Sequence, residues 1–125
     1  MYNDLLKIKY EYGVMDCAIL AQEVFHRYGM DVPVPDTARR ALEIAETLSE
    51  ESEVMLNTIN SMWTPISSPV EPCLVVVTSF GWCHVGVYIG NNMFIHTSRL
   101  RKYPTIESLD NPLYAKRKFY TYNGN

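Results

Sequence analysis

The first half of the chain carries hydrophobic residues at helical spacing. Between Asp16 and Tyr28 they recur every three or four positions, as on a helix with one buried face. The apolar positions in this stretch are Cys17, Leu20, Ala21, Val24, Phe25 and Tyr28. Asp16 is a favourable N-cap, and Gly29 follows where a left-handed C-cap is expected. The pattern predicts a helix over Asp16–Tyr28.

Two weaker helical patterns follow, and then a loop. Asp36 can cap a helix that runs through Leu48, and a more acidic helical segment extends from Glu50 to about Met62. The stretch TPISSPVEP, residues 64–72, has the proline- and serine-rich composition of a loop. We therefore expect helices to dominate the N-terminal half of the chain.

The second half of the chain changes to strand patterns. CLVVVTSF, residues 73–80, is typical of a central strand that is buried on both faces. HVGVYIG and MFIHTS flank Gly90-Asn91-Asn92 as a hairpin would, and KFYTY, residues 118–122, predicts a last strand. Helices first and strands later predict an α+β fold, with N-terminal helices packed on an antiparallel meander. The 125 residues, 47% of them hydrophobic, fit one domain over residues 1–125.

The length of the hairpin loop decides which side chains share a face. With a three-residue loop, Gly86 lies opposite His96, so His84 and His96 become diagonal neighbours, and Gly86 leaves room above the sheet. A two-residue loop would send the two histidines to opposite faces. Histidines on a half-buried hairpin are more often structural or surface residues than functional ones. The pair therefore indicates chemistry only if a reactive partner lies beside it.

Cys17 is the partner that the sequence offers. At the start of a helix, unpaired N–H groups and the helix dipole favour a thiolate over a thiol. Because Cys17 begins the apolar face, we expect its sulfur to point toward the sheet, over the strand face that carries His84 and His96. A cysteine, a base and an orienting residue, with backbone N–H groups for an oxyanion, form the site of a cysteine peptidase. In the competing interpretation Cys17 is a small buried residue of a core helix.

Charge and cysteine content narrow the possible partners. A formal net charge of −3 argues against a nucleic-acid partner. No apolar stretch approaches the ~20 residues of a membrane helix, so no membrane partner is expected. The N-terminus lacks the pattern of a signal peptide, and we expect a protein made in the cytoplasm. Cys73 and Cys83 are expected to be buried thiols, and without a C-x-x-C pair we expect no metal and no cofactor.

Two blocks of the sequence resemble the NlpC/P60 family of cysteine peptidases. YGVMDCAIL, residues 12–20, is similar to the D-C pair that opens a helix in that family. HVGVYIGNNMFIHTS, residues 84–98, is similar to its H-V-G-I-Y-I-G-N and I-H-A segments. Ala18 and Ile19 depart from the pattern, in which serine and glycine are usual. The resemblance covers essentially the whole chain, although residues 37–70 match only in outline.

The resemblance implies a papain-like fold in which Cys17 is the nucleophile, His84 the base and His96 the third polar residue. It also implies that an aromatic residue shortly before the cysteine lines the oxyanion site. The side chains expected to line this site and the cleft are Tyr12, Tyr10, Asp16, Tyr88 and Trp82.

The resemblance further implies an enzyme that hydrolyses peptidoglycan stem peptides at the amide between γ-D-glutamate and the diamino acid. YGVMDC approaches the W-G-x-x-D-C pattern of the phage-tail branch, which implies a phage or prophage tail protein with other tail proteins as partners. Two alternatives stay open. One is a non-catalytic tail-assembly or binding module, and the other is an intracellular amidase or acyltransferase acting on a small amide or lipid.

Overall fold

The computed structural model describes residues 2–35, 56–78 and 84–123. Within these ranges two helices pack against a six-stranded antiparallel sheet, which confirms the predicted α+β class. The helices are α1, Cys17–Arg27, and α2, which covers residues 56–62. The strands are β1 Trp63–Ile66, β2 Cys73–Val77, β3 His84–Tyr88, β4 Met93–His96, β5 Thr105–Ser108 and β6 Arg117–Tyr122. Among the described residues, no helix has the length and hydropathy of a membrane span.

Several predicted features lie outside the described residues. They are the helix over residues 36–48, the first part of the segment from Glu50, the end of the CLVVVTSF stretch, and the positions of Trp82 and Cys83.

The sheet has the strand order β1-β6-β2-β3-β4-β5. The predicted meander is therefore confirmed only for β2 to β5, because β6 returns to pair with β2 on its other side and β1 adds beyond it. The prediction that TPISSPVEP is entirely loop is wrong, since its first three residues belong to β1. Pro65 is accommodated there because β1 is an edge strand, where a missing N–H is tolerated.

The hairpin between β3 and β4 has the predicted three-residue loop. Gly86 pairs with His96 and Val87 with Ile95, while the Met93 N–H donates to the Gly90 carbonyl at 3.0 Å. All three loop residues have positive φ, from 54° to 89°, which suits the Gly-Asn-Asn sequence. This register determines which side chains share each face of the sheet.

Each face of the central strands has its own core. On one face α1 and α2 pack over Leu74, Val76, Val85, Val87 and Ile95. On the other face Val75, Val77 and Phe94 are covered by Leu109 and Tyr114. Every residue of β2 is consequently buried, as predicted for a central strand covered on both sides.

Candidate active site

α1 begins at Cys17 because Asp16 caps it. Asp16 has an extended backbone, and its Oδ1 accepts a hydrogen bond from the Ile19 N–H at 3.0 Å. Its Oδ2 accepts from the Gly13 N–H at 3.0 Å, and Gly13 has a φ of 82° that closes the preceding turn. Both carboxylate oxygens of this buried residue therefore bind backbone groups on either side of Cys17 and determine where the thiol lies.

His84 opens β3, His96 ends β4, and their imidazole rings are in contact. His84 Nε2 lies 2.7 Å from His96 Nδ1, and the two ring planes cross at 80°. The two residues are only 4% and 2% exposed. The diagonal arrangement predicted from the loop length is confirmed, and the sheet brings the two histidines into one hydrogen-bonded pair.

Gly86 does not leave open space between the histidines, so that expectation is wrong. A Cβ atom at Gly86 would lie 2.8 Å from the Ile95 carbonyl oxygen, 2.9 Å from Phe94 Cδ2 and 3.0 Å from His96 Cβ. The Phe94 ring stacks on the His96 ring, with 4.5 Å between centroids and 10° between planes. Glycine is needed here because backbone and side-chain atoms of β4 occupy the space that a Cβ would take, and this packing holds the His96 ring.

Three residues that the sequence analysis did not single out form a polar network beyond His96. Glu107 Oε2 is hydrogen-bonded to His96 Nε2 and to the Tyr114 hydroxyl. Glu107 Oε1 lies 2.7 Å from Arg101 Nη2, which also donates to the Tyr114 hydroxyl at 3.1 Å. Glu107 stands opposite Phe94 in the β4–β5 register and thus shares its face with His96. Recognising β5 would have revealed this position, but TIES is too short and polar to stand out by periodicity.

Burial and hydrogen bonding set the charges of this network. Burial lowers the pKa of His84, and the adjacent His96 lowers it further. Burial also lowers the pKa of His96, against the opposing effect of the Glu107 carboxylate. Burial raises the pKa of Glu107, but hydrogen bonds from Tyr114 and His96 more than offset this, so the net pKa is lowered. At neutral pH His84 and His96 are therefore neutral imidazoles, and Glu107 is a carboxylate paired with the Arg101 guanidinium.

The apolar face of α1 packs on the opposite side of the hairpin from the histidines. Cys17 and the other buried side chains of α1 share a core with Val85, Val87 and Ile95. Side chains alternate along a strand, so His84 and His96 belong to the other face. The expectation that α1 covers the strand face bearing the histidines is wrong, because an apolar helix face packs against the apolar positions of β3 and β4.

The end of α1 nevertheless shows which way the helix runs along β3. The Tyr28 hydroxyl, just after α1, donates to Glu71 Oε2 at 3.0 Å. The Glu71 carboxylate in turn lies beside Gly90 of the hairpin loop. Eleven residues of helix and five of strand each span roughly 16 Å. With its last turn at the hairpin, α1 therefore starts with Cys17 at the end of the sheet where β3 starts with His84.

A backbone contact at the other end supports this orientation. The Tyr10 N–H, before α1, donates to the Lys102 carbonyl, after β4, at 2.6 Å. The chain that leads into Cys17 is thereby tied to the chain that leaves His96. The nucleophile candidate and the histidine pair thus lie at one end of the sheet, although they approach it from opposite faces.

The other predicted site residues lie in different places. Tyr12 is exposed in the turn before α1, and Tyr10 is half-buried beside it in sequence. Tyr88 is at the hairpin end of β3, where its hydroxyl accepts from the Asn92 N–H at 3.1 Å. That end is roughly 13 Å along the strand from His84. The position of Trp82 lies outside the described residues.

The two described cysteines have different surroundings. Cys73 opens β2 with no exposed surface, and burial raises the pKa of its thiol to about 11. Cys17 occupies the first turn of α1, where N–H groups and the dipole favour an anion. Neither residue is part of a disulfide. Within residues 2–35, 56–78 and 84–123, no three histidine, cysteine or acidic side chains cluster as metal ligands would.

Comparison with known proteins assigns the chain to a family. The model of the NlpC/P60 family matches residues 7–122, a stretch that includes α1 and all six strands. No curated protein matches the chain. Members of the matched family are generally cysteine peptidases or amidases that act on the cell wall.

Proposed function

This chain belongs to the NlpC/P60 family, and we propose that it is a cysteine peptidase or amidase that hydrolyses stem-peptide amide bonds of peptidoglycan. In this proposal Cys17 is the nucleophile, His84 is the general base and His96 orients the base. The observation that carries the proposal is the 2.7 Å contact between His84 and His96 at the end of the sheet where α1 begins. A buried, mutually bonded histidine pair at the same end of the sheet as a helix-initial cysteine suits thiol activation.

The approach of Cys17 to His84 follows from helix geometry. Cys17 is the first residue of α1, and side chains of a helix tilt toward its N-terminus, so we infer that its thiol extends beyond the packed face of the helix. That direction leads to the end of the sheet where His84 begins β3. In this proposal the thiol reaches His84 around the end of the strand, so α1 does not have to cover the histidine face.

The reaction begins with transfer of the Cys17 proton to His84. The thiolate attacks the amide carbonyl carbon, and the N–H groups in the first turn of α1 stabilise the resulting oxyanion. The C–N bond then breaks, the proton on His84 passes to the departing amine, and an acyl-thioester remains on Cys17. A water molecule loses a proton to His84 and attacks the thioester carbonyl. The carboxylic product leaves, and the proton on His84 returns to the sulfur.

We infer that the bond cleaved joins γ-D-glutamate to the diamino acid, as the family resemblance implies. The charge near the site supports a substrate of this kind. Arg99 and Lys102 lie in the segment after β4 that binds the backbone of Tyr10. Positive charge at this end of the sheet suits the free carboxylates of a stem peptide. The proposed association with a phage tail has a separate basis, the YGVMDC pattern, and co-purification of the protein with tail particles tests it independently of activity.

The first experiment measures muropeptides released from purified cell walls by wild type, Cys17→Ala and Cys73→Ala. Walls with diaminopimelate and walls with lysine at the third stem position are both used, and products are identified by mass spectrometry. We expect wild type and Cys73→Ala to release the same fragments. Cys17→Ala should lose at least about 10³-fold in rate, because the nucleophile is absent. Unchanged release by Cys17→Ala, or none from any wall by wild type, would contradict the proposal.

Labelling with iodoacetamide tests the reactivity of the thiol itself. Only the thiolate reacts, so Cys17 should be labelled well before Cys73, whose pKa burial raises to about 11. Peptide mapping at successive times gives the order, and loss of wall hydrolysis should follow the labelling of Cys17. Labelling of Cys73 first, or full activity with Cys17 labelled, would count against Cys17 as the nucleophile.

A further inference from the structure

Glu107 is the one carboxylate in contact with the histidine pair within the described part of the chain. It lies on β5, diagonal to His96, just as His96 lies diagonal to His84 across the β3–β4 register. The three side chains therefore form a line across three adjacent strands on one face of the sheet. The Glu107 side chain is only 14% exposed. A partly buried carboxylate that is hydrogen-bonded to the last ring of such a line can determine which ring nitrogens carry the protons.

The contacts of Glu107 define one proton arrangement. An ionised carboxylate only accepts hydrogen bonds, so His96 must carry its proton on Nε2, the atom bonded to Glu107. In a neutral ring Nδ1 of His96 is then an acceptor. His84 Nε2, 2.7 Å away, must therefore carry the proton of its own ring. As a result Nδ1 of His84 is the unprotonated, basic nitrogen.

We propose that Glu107 is a positioning residue that sets the tautomers of both His96 and His84, so that His84 presents a basic Nδ1 to the thiol of Cys17. This inference rests on the proposed function, in which His84 accepts the proton of Cys17. Burial of the two rings keeps both neutral in the resting protein, as the directions of their pKa shifts also indicate. When His84 becomes an imidazolium, the carboxylate stabilises its charge through His96 and takes up no proton itself.

Arg101 and Tyr114 hold Glu107 in the state that this role needs. The guanidinium lies 2.7 Å from Oε1 and the Tyr114 hydroxyl donates to Oε2, so both oxygens of the ionised form have donors. These contacts also predict what an amide would do at this position. Arg101 has no acceptor, so the amide oxygen of a Glu107→Gln side chain must face it. The NH₂ group then faces His96 Nε2.

Glu107→Gln should therefore reverse the whole arrangement. An NH₂ donor opposite Nε2 makes that nitrogen of His96 an acceptor and moves the ring proton to Nδ1. That proton donates to His84 Nε2, and the proton of His84 moves to Nδ1, where it blocks the base. Tyr114→Phe is the matched control. It removes a hydrogen bond from the same carboxylate oxygen, together with the longer 3.4 Å contact of the hydroxyl with His96 Nε2, but keeps the contact between Glu107 and His96.

The experiment records long-range ¹H–¹⁵N correlations of the histidine rings in the full chain, together with kcat and KM on cell-wall muropeptides. Wild type and Tyr114→Phe should show protonated Nε2 on both buried rings. Glu107→Gln should show protonated Nδ1, and its kcat should fall at least about 10-fold with KM nearly unchanged. Removal of the carboxylate also destabilises the imidazolium, so the acidic limb of any remaining activity should move to lower pH.

Two outcomes would overturn the inference. One is a wild-type spectrum with the proton of His84 on Nδ1, and the other is a Glu107→Gln variant with wild-type tautomers and wild-type kcat. The first of these outcomes overturns the inference even if Glu107→Gln does not fold, because it needs only the wild-type spectrum. The tautomers are measured without substrate, so an inactive wild type with the expected spectrum refutes hydrolysis and leaves the tautomer assignment supported. Conversely, an active Glu107→Gln with unchanged spectra refutes only the role of Glu107.

Discussion

The two faces of the β3–β4 hairpin differ in the interactions that stabilise their buried side chains. Ile95 and His96 are neighbours on β4, are 1% and 2% exposed, and point to opposite faces. Ile95 joins Val85 and Val87 under α1, where contact between apolar surfaces is sufficient. His96 instead has both ring nitrogens hydrogen-bonded, to His84 and to Glu107. Two residues of equal burial thus have different needs. On the face under α1 a side chain only has to fill the available volume, whereas on the face of the histidines it also needs hydrogen-bonding partners in the right positions.

This difference indicates how function is separated from stability in the hairpin. On the apolar face, removal of atoms leaves a cavity whose cost depends on its size. On the polar face, removal of one partner leaves other buried polar atoms without hydrogen bonds. Substitutions on the α1 face should therefore lower the free energy of unfolding with little effect on kcat. Substitutions on the histidine face should lower kcat, either together with the free energy of unfolding or on its own.

The largest expected loss of stability comes from Ile95→Ala. The variant removes buried methyl and methylene groups beneath α1 and should lower the free energy of unfolding by about 2–5 kcal/mol. The rate of wall hydrolysis per folded molecule should stay near that of wild type, because the histidine pair is on the other face. Urea unfolding and muropeptide release under conditions where the variant is folded measure the two effects. A large fall in kcat with little loss of stability would contradict the separation of the two faces.

Gly86→Ala should disturb the histidine face by adding one carbon atom. The new Cβ would lie within 3.0 Å of Ile95, Phe94 and His96 atoms, so β4 must move. Overpacking of this kind costs roughly 1–3 kcal/mol, and displacement of His96 should lower kcat as well.

Gly29→Ala is the matched control for this variant. Gly29 has a φ of 79° and open space around its Cβ position, so its substitution should cost only about 1 kcal/mol of backbone strain. The histidine ring resonances should stay in place in Gly29→Ala and shift in Gly86→Ala. Equal stability loss and unmoved ring signals in both variants would show that the β4 side chains adapt without strain.

The sequence was sufficient for features that depend on local spacing. The Asp16 cap, the apolar face of α1 and the contact between His84 and His96 all follow from the period of a helix or a strand. The sequence was insufficient to predict features that depend on how distant segments of the chain pack together. The face that α1 covers depends on which side of the whole sheet is apolar, and the hairpin pattern alone suggested the wrong one.

The two strands that were not predicted show the same limit. β1 contains Pro65 and β5 reads TIES, so neither has a strand pattern of its own, and each forms by pairing with a stronger neighbour. Glu107 could not be recognised because its role exists only once β5 pairs with β4. Long-range pairing, and not residue type, gives this carboxylate its contact with the histidines.

The two faces should also differ in how they respond to pH. The pKa values of His84 and His96 are lowered by burial, so below the ordinary histidine range the unfolded chain binds protons that the folded protein does not. The pKa of Glu107 is lowered too, and its stabilising effect is lost as pH falls through the folded-state value. Both effects act in the same direction, and stability should decline from about pH 6.5 downward. The free energy of unfolding should fall by at most about 1.4 kcal/mol per pH unit for each additional proton that the unfolded chain binds.

His26 supplies the internal control for this pH dependence. It is exposed, and the hydrogen bond that its Nδ1–H donates to Asp31 raises its pKa, so its contribution is present at low pH and is lost as pH rises. In a ¹H NMR titration the ring signals of His26 should move above pH 6.5, whereas those of His84 and His96 should not move until lower pH. Urea midpoints from pH 7.5 to 5 measure the net effect. Titration of His84 or His96 in the range of His26 would mean that water reaches the polar face, and that its hydrogen bonds do not keep the two imidazoles neutral.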